Sequence, residues 1–580
     1  MILFISKYLF DTKSIYGNEL LYLMGVHMIN DFGVRSVYHL VFIMFLAQCM
    51  VLGGVAGHVD PPFSCNIEGN AFDEVAPNKE IVSRVPSNGL MDSAWPMFQH
   101  DQQHTGRTEV VLPPGNQAVL KWRYLSEPIA ENRSQHSTPV IDKDGVIYYG
   151  NFFGYLHAVY PNGTMKWASC LSSFTEQTGA IASDGTIYYG DYHGMLSAVN
   201  PNGTIKWQVQ LTEYDMESSP VISDDGTIYI GADGNKQLFA VNPSGTIQWV
   251  FQTNGSLRAP ALDTQGNLFI GSGDGFFYSL YPNGTLRWKT EFGFVCGGKG
   301  PVIDHDETVY FASAGKLYAM NAENGTVIWV FDSGYWSSSG SPAVGFNGEL
   351  YYGCGIYKTN ESGAFFCVNP NGTLRWKYPL TAYCVASPVV TGGGVIIIGD
   401  NEGYVYAFSS EGVLLWRYFT SRPIYSSFAV AEDGTIYFTS WDGLLHAITV
   451  VERENHPPET PVLVGPTNGK AGAKYPYTFN LTDSDGDPMF FYMEYGDGAY
   501  SWWTGSYESG EQIIEELSWM YEGTYTLRVK ARDLYCAESD WGTLTITMPT
   551  SYNMPMHWFW ERFLERFPNA FPILRHLLGY

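Results

Sequence analysis

A unit of roughly 40 residues recurs along most of the chain, and it constrains the fold more than any other feature. A clear unit has two short alternating apolar runs, a Pro-x-Gly-Thr turn, and a further run that ends in Trp, whereas weaker copies end at Trp329, Trp376 and Trp416. The clearest copy runs from Asp225 to Trp249, and similar copies end at Trp167, Trp207 and Trp288. Asn-Gly and Asp-Gly pairs between such runs favour type I′ hairpins, whose two central residues both have positive φ. Repeats of this length with about four strands each are typical of β-propeller blades.

The tryptophans that end the units set the predicted number of blades. They fall at eight positions, 122, 167, 207, 249, 288, 329, 376 and 416. The segment before Trp122 has the pattern of a last strand without the first three, whereas 427–448 supplies three strands without a fourth. We therefore predict an eight-bladed propeller in which a strand near Lys121 closes the ring beside His446. Such closure removes the open sheet edges that invite aggregation. We interpret each Trp as an apolar plug between blades, contributing ~2–3 kcal/mol when fully buried.

Composition and patterning divide the chain into several predicted regions. The 580 residues carry a formal net charge of −26, which argues against nucleic acid, because phosphates require a basic surface. The regions are an N-terminal extension (1–57), a linker (58–94), the propeller (95–450), a Pro-rich linker (451–460), an Ig-like β-sandwich (461–548) and an aromatic tail (549–580). The fold class is therefore predicted to be all-β.

Both ends of the chain carry apolar segments that suggest export and a membrane. The hydrophobic stretch 37–56 is interpreted either as a signal peptide cleaved near Ala56 or as an uncleaved anchor. In the tail, apolar residues at 559, 560, 563, 564 and 567 mark one face of a short helix. This tail is expected to lie in a membrane interface, or alternatively to pack against the sandwich.

The predicted sandwich contains a cluster of carboxylates. Asp483-Ser-Asp-Gly-Asp487 places Asp483, Asp485 and Asp487 on one tight loop, a pattern that suits calcium. The alternative is an Asp/Gly-rich turn between two strands. Tyr495-Gly-Asp-Gly498 and the run from Gly523 to Asp533 resemble the PKD (Ig-like) domains of surface proteins.

Eight cysteines are scattered without CxxC pairs. Cys354 and Cys367 are expected on adjacent strands of one blade, where a disulfide is feasible in an oxidising compartment. The alternative is that both are small buried hydrophobic residues.

The segment Trp95-Pro-Met-Phe-Gln-His-Asp-Gln-Gln-His-Thr-Gly-Arg-Thr108, followed by these repeats, resembles the PQQ-like (quinoprotein-type) propeller family, including members on archaeal cell surfaces. This family includes quinone-dependent dehydrogenases and also non-enzymatic propellers. Membership of the dehydrogenase group implies a quinone and calcium in the central channel, an acidic base and, in many members, a disulfide between adjacent cysteines. This chain has no Cys-Cys pair. The lead-in segment with His100 and His104 is interpreted as a strap laid over the propeller.

Four residues stand just before the Pro of successive units and are predicted to line the channel mouth, namely His136, Glu217, Arg258 and Lys299. They are candidates for binding a polar ligand or, alternatively, solvated charges at the rim of a tunnel. The predicted function is a non-catalytic, exported scaffold that binds a protein partner or surface polymer. The sandwich is expected to act as a spacer, and no cofactor is assigned apart from the calcium alternative. One alternative is a PQQ-dependent dehydrogenase, and another is a carbohydrate or peptide binder. The chain is expected to be monomeric.

Overall fold

The computed structural model describes residues 89–125, 137–175, 177–293, 299–335, 340–355 and 363–550. The hydrophobic segment 37–56, His136 and the tail beyond Thr550 lie outside these residues. Within the described ranges every regular element is a β-strand. None of those ranges contains a helix long and apolar enough to cross a bilayer.

Eight four-stranded antiparallel sheets are found among the described residues, which matches the predicted blade count. Blades 1 to 4 contain β2 (Val140–Ile141), β3 (Ile147–Gly150), β4 (Tyr155–Val159) and β5 (Met165–Cys170); β6 (Ala180–Ile181), β7 (Ile187–Gly190), β8 (Met195–Val199) and β9 (Ile205–Gln210); β10 (Val221–Ile222), β11 (Ile228–Ala232), β12 (Gln237–Val241) and β13 (Ile247–Gln252); and β14 (Ala261–Leu262), β15 (Leu268–Gly271), β16 (Phe276–Leu280) and β17 (Leu286–Glu291).

Blades 5 to 8 follow the same order from the inner to the outer strand. They contain β18 (Val302–Ile303), β19 (Thr308–Ser313), β20 (Lys316–Asn321) and β21 (Val327–Asp332); β22 (Ala343–Val344), β23 (Leu350–Gly355), β24 (Gly363–Val368) and β25 (Leu374–Leu380); β26 (Val389–Val390), β27 (Ile396–Gly399), β28 (Tyr404–Phe408) and β29 (Leu414–Phe419); and β30 (Ala429–Val430), β31 (Ile436–Thr439), β32 (Leu444–Val451) and β1 (Gln117–Leu125).

Blade 8 is split between the two ends of the propeller, as predicted. Strand β1 pairs antiparallel with β32, from Gln117 opposite Val451 to Leu125 opposite Leu444. Arg123 lies opposite His446, so the predicted closure beside His446 is confirmed.

A circle of hydrogen bonds, here called the inner-rim ring, links each blade to the next just before its inner strand. Several inner strands are preceded by a Pro, which has no backbone N–H to donate. The hydrogen bonds between blades are therefore made by the residues that precede this Pro. They run from Ser137 Oγ to Gln177 O (2.8 Å), Thr178 N to Ser219 Oγ (3.2 Å), Ser218 Oγ to Arg258 O (3.3 Å), Ala259 N to Lys299 O (3.1 Å), Ser341 Oγ to Gly300 O (2.7 Å), Ser341 N to Ser387 Oγ (3.0 Å), Ser387 N to Ser427 Oγ (3.1 Å) and Ser427 N to Thr138 Oγ1 (2.8 Å). The last bond returns from blade 8 to blade 1.

The outer strands are joined by their tryptophans. Trp167 Nε1 of blade 1 donates to the carbonyl oxygen of Pro201 in blade 2 at 2.9 Å, and its indole ring lies against Gly203 of the same turn. A Cβ at Gly203 would lie 2.7 Å from Trp167 Cδ2. The tryptophan that is predicted to fill the gap between two blades therefore also joins them by a hydrogen bond.

The turns that receive these tryptophans are not the predicted type I′ turns. Gly203 N donates to Asn200 O at 2.9 Å, so Pro201 and Asn202 are the central residues. The Pro201 ring fixes a negative φ, and only Gly203, with φ 88°, adopts the left-handed conformation. The turn is therefore type I followed by a glycine bulge.

The lead-in segment crosses one end of the ring as a strap, as predicted. Its backbone pairs with the ends of inner strands, with Ile141 N donating to Trp95 O at 2.8 Å and Val390 N donating to Gly106 O at 2.8 Å. Trp95 is fully buried. Burial lowers the pKa of His104 to about 4, so this imidazole stays neutral inside the strap. The strap therefore closes the end of the channel at which the inner strands finish.

Residues after the propeller form a two-sheet sandwich. One sheet has the order β33 (Asn468–Lys470), β39 (Gly542–Thr550), β38 (Gly523–Asp533), β35 (Met489–Glu494), β36 (Thr504–Tyr507), and the other pairs β34 (Tyr475–Asn480) with β37 (Gln512–Leu517). The core between the sheets includes Phe479, Phe491 and Trp519.

The sandwich packs directly on blade 7, which corrects the expectation of a spacer. The guanidinium of Arg532 lies 3.8 Å from the ring centroid of Trp503 and also contacts Tyr404 and Phe419 of the propeller. Arg532 is buried, and Glu538 accepts hydrogen bonds from it. A buried, paired and stacked arginine fixes the orientation of the two modules.

The proposed disulfide between Cys354 and Cys367 is wrong, because both thiols are free and buried. Cys354 lies opposite Ala364 and Cys367 lies opposite Tyr351 in the β23–β24 pair. An offset of three residues places the two side chains on opposite faces of the blade.

We predict that Gly203→Ala destabilises the protein more than Gly443→Ala. Both glycines have positive φ, 88° and 82°, so each alanine carries a similar backbone strain of ~1 kcal/mol. Only the alanine at 203 also collides with Trp167, since a Cβ at 443 meets open space. The additional cost is ~1–3 kcal/mol. Calorimetric melting of both variants measures this difference, and equal melting temperatures would show that the Trp–Gly contact does not couple the blades.

Candidate functional site at the mouth of the channel

The end of the channel opposite the strap carries the predicted mouth residues. Glu217, Arg258 and Lys299 directly precede the inner-strand regions of blades 3, 4 and 5, and the loops after the second strand of each blade reach the same end. The structure therefore brings three of the four predicted residues to one rim.

Arg258 lies at the centre of a charged cluster. Its Nη1 is 3.3 Å from Glu217 Oε2 and 3.8 Å from Asp233 Oδ2. Tyr192 of blade 2 donates its hydroxyl to Glu217 Oε1 at 3.0 Å. One guanidinium therefore holds two carboxylates from blade 3, and a tyrosine orients one of them.

Asp233 has a perturbed carboxyl group. Its pKa is raised to about 7, mainly by burial; Arg258 opposes the shift, and the nearby charges of Glu217 and Asp215 contribute to it. The mouth cluster therefore becomes more positive as the pH falls through about 7.

An aromatic stack adjoins the charged cluster on blades 1 and 2. The ring centroids of Phe152 and Phe174 are 4.7 Å apart, and those of Phe174 and Tyr192 are 4.1 Å apart, with nearly parallel planes. All three rings are half-buried. Stacked rings beside fixed charges can bind a ligand with a flat apolar face and polar groups.

Lys299 bonds across the mouth. Its Nζ donates to the carbonyl oxygen of Tyr425 at 2.7 Å, although the two residues belong to blades 5 and 8. Removal from water lowers the pKa of Lys299 to about 8. The Tyr425 hydroxyl in turn lies 3.0 Å from that of Tyr383 in blade 7. Lys299 therefore narrows the opening and can lose its charge in mildly alkaline conditions.

Sequence reasoning missed Asp233 and Tyr192. It considered only the residues before each Pro, whereas both of these follow the second strand of a blade. The repeated Gly-x-x-x-Gly pattern after that strand, as in Gly190-Asp-Tyr-His-Gly194, marks equivalent loops and could have identified Tyr192.

The acidic loop of the sandwich is a separate cluster from the mouth. Asp483, Asp485 and Asp487 present oxygens within 4.8 Å of one another, and within the described ranges no other group of three or more His, Cys, Asp or Glu side chains is arranged to hold a metal. Arg453 of the linker forms a bidentate pair with Asp487, at 2.8 and 3.0 Å. His456 N donates to Asp485 at 2.7 Å.

Asp487 therefore already has a protein cation as its partner, and Asp485 accepts a backbone hydrogen bond. One oxygen, Asp483 Oδ2, is buried and has no hydrogen-bond partner within the described ranges, so it is suited to a cation. Calcium binding by Asp483, Asp485 and Asp487 stays a prediction.

Comparison with known proteins identifies the repeats. The sequence profile described as "Outer membrane protein assembly factor BamB" matches residues 152–259 and 255–448. No curated protein matches the chain.

Several solved structures are similar to part of the chain. Quinohemoprotein alcohol dehydrogenase from Comamonas testosteroni has 13% sequence identity and a TM-score of 0.53, covering 66% of this chain and 83% of that one. BamB from Moraxella catarrhalis has 19% identity and a TM-score of 0.48, covering 57% and 99%. The PKD domain of an M14-like peptidase from a Thermoplasmatales archaeon has 49% identity and a TM-score of 0.16, covering 17% and 99%. At 13% identity the likeness to the dehydrogenase shows the propeller fold alone.

We predict that Lys299 titrates near pH 8, below the ordinary lysine value of 10.5, because the folded protein disfavours its charged form. Reductive ¹³C-methylation followed by NMR measures the titration of each lysine. The resonance absent from Lys299→Arg protein identifies the residue. A midpoint at 10.5 for that resonance would mean that the mouth is open to water at this position.

Proposed function

Because the chain belongs to the PQQ-like propeller-repeat family described as outer membrane protein assembly factor BamB, whose profile spans just over half of its 580 residues, we propose that it is a non-catalytic binding scaffold of the cell surface or envelope. The propeller mouth binds a partner protein or surface polymer. The sandwich, fixed against blade 7, sets how that mouth is oriented.

The observation that carries this proposal is the internal pairing of charges at the mouth. Glu217 and Asp233 both face the guanidinium of Arg258, and Lys299 donates to a backbone carbonyl oxygen. A calcium-bound quinone with an acidic base, as the dehydrogenase resemblance implies, needs carboxylates that are free to bind the metal and accept a proton. Glu217 and Asp233 are instead partners of a cation, which suits recognition.

The aromatic stack favours the binding of a ligand over purely electrostatic docking. Phe152, Phe174 and Tyr192 supply ring surface directly beside Glu217. Sugar rings and the side chains of aromatic or proline-rich peptides both offer a flat face with adjacent polar groups. A carbohydrate or peptide is therefore the second candidate for what the mouth binds.

We predict that exchanging the two mouth charges, with Glu217→Arg and Arg258→Glu together, reduces partner binding at least tenfold. The exchange keeps an ion pair but reverses the charge pattern that a partner meets. A photo-crosslinking amino acid in place of Phe153, in the full chain expressed in its native cells, measures partner capture.

The matched control exchanges Asp184 and Lys206, an ion pair of 3.0 Å on the outer part of blade 2. Equal crosslinking by both exchanged proteins would place the binding surface elsewhere. Dye reduction by purified protein supplied with quinone, calcium and an alcohol or sugar would contradict the scaffold proposal and favour the dehydrogenase.

A further inference from the structure

Seven of the eight blade tryptophans donate Nε1 to the turn of the next blade. The acceptors are carbonyl oxygens at 2.8 to 3.0 Å, in the pairs Trp122–Pro161, Trp167–Pro201, Trp207–Pro243, Trp249–Pro282, Trp288–Ala322, Trp329–Pro370 and Trp376–Ser410. Trp416 of blade 7 is the eighth, and its Nε1 has no hydrogen-bond partner among the residues that the structure describes. The physical reason lies in the split blade.

Blade 8 has no turn between its third and outer strands, because β1 comes from the other end of the propeller. At the equivalent place the end of β32 lies beside the start of β1, and Asn116 N donates to Val451 O at 3.1 Å. A cavity of about 310 Å³ lies there, between the seam of blade 8, Trp416 and Tyr535 of the sandwich. We call it the seam cavity, and its volume is in the range of small-molecule sites.

The seam cavity is lined by a buried amide that lacks partners. Gln117 is only 5% exposed, yet neither its Nε2 nor its Oε1 has a hydrogen-bond partner within the described ranges. Leaving a buried polar group unpaired costs ~1–3 kcal/mol. Native structures rarely retain such groups unless a ligand or water completes them.

The charge of the seam cavity favours an anion. Arg417 lines it and has neither an ion pair nor a hydrogen bond among the described residues, whereas Arg453 is committed to Asp487. Glu454 lies at the exposed rim and can accept a hydrogen bond from a hydroxyl or amine. The free donors are thus a guanidinium, an amide and an indole N–H, which together suit a carboxylate.

We propose that the seam cavity binds a small organic carboxylate. One carboxylate oxygen takes the place of the turn carbonyl that every other blade offers to its neighbour's tryptophan. The Arg417 guanidinium and the Gln117 amide hold the remaining acceptor groups. This site lies away from the channel mouth and does not depend on what the mouth binds.

The test compares three carboxylates with their neutral counterparts on the full chain. Acetate, L-lactate and D-glucuronate are titrated against acetamide, propane-1,2-diol and D-glucose. The readout is the indole N–H resonances of ¹⁵N-tryptophan-labelled protein, with the Trp416 signal identified by Trp416→Phe. At least one carboxylate should shift the Trp416 signal and bind ten times more tightly than its neutral counterpart.

Two substitutions establish that the binding occurs in this cavity. Arg417→Met and the nearly isosteric Gln117→Glu, which adds a repelling charge, should each weaken carboxylate binding at least tenfold. Arg123→Met, on the same strand as Gln117 but outside the cavity, should leave binding unchanged. Failure of all three carboxylates to exceed their neutral counterparts would overturn the proposal, as would unchanged binding by Gln117→Glu protein with an unchanged melting temperature.

Discussion

The structure depends on the inner-rim ring, the circle of hydrogen bonds that joins each inner strand to the next. Its members are buried serine and threonine hydroxyls and backbone groups, and its last bond joins Ser427 to Thr138 across 289 residues of chain. Buried hydrogen bonds of this kind are costly to leave incomplete, so the circle must close with a fixed number of blades. That closure brings β1 beside β32, and it places the outer-strand tryptophans within hydrogen-bonding distance of the next blade.

Closure also determines where ligands can bind. The strap covers the end at which the inner strands finish, so the charged and aromatic residues of the mouth meet solvent at one end alone. At the outer edge, blade 8 is built from both ends of the propeller sequence, so it has no turn between its third and outer strands. Trp416 therefore lies beside the seam cavity instead of a turn. The two proposed binding sites thus arise from one topological fact: a ring made from a linear chain has a channel and a seam.

Much of the fold could be predicted from the sequence because its determinants are local. The spacing of Trp and Gly-containing turns gave the blades, and the incomplete patterns near Trp122 and His446 gave the closure. The type I′ turns were wrong because Pro201, not Asn202, is the first central residue. The disulfide was wrong because strand adjacency does not specify register, and register alone separates Cys354 from Cys367.

The candidate site was less accessible to sequence reasoning, because its contacts join residues far apart in the chain. Nothing local indicates that Lys299 reaches Tyr425, or that Arg453 pairs with Asp487 of the acidic loop. The docking of Arg532 between Trp503 and Tyr404 likewise joins two modules that each have a regular pattern of their own. The recurring Ser or Thr before the inner-strand Pro, as in Ser341-Pro342 and Ser387-Pro388, was a visible signal for the inner-rim ring.

Hydrogen exchange of β1, followed by mass spectrometry, tests the closed ring most directly. Residues Gln117–Leu125 belong to blade 8 only if the N-terminal strand pairs with β32. The closed ring predicts that the amides of β1 that are hydrogen-bonded to β32 exchange slowly, and that they lose protection together with Leu444–Val451 as denaturant is added. Rapid exchange of Gln117–Leu125 while Leu444–Val451 stays protected would contradict it.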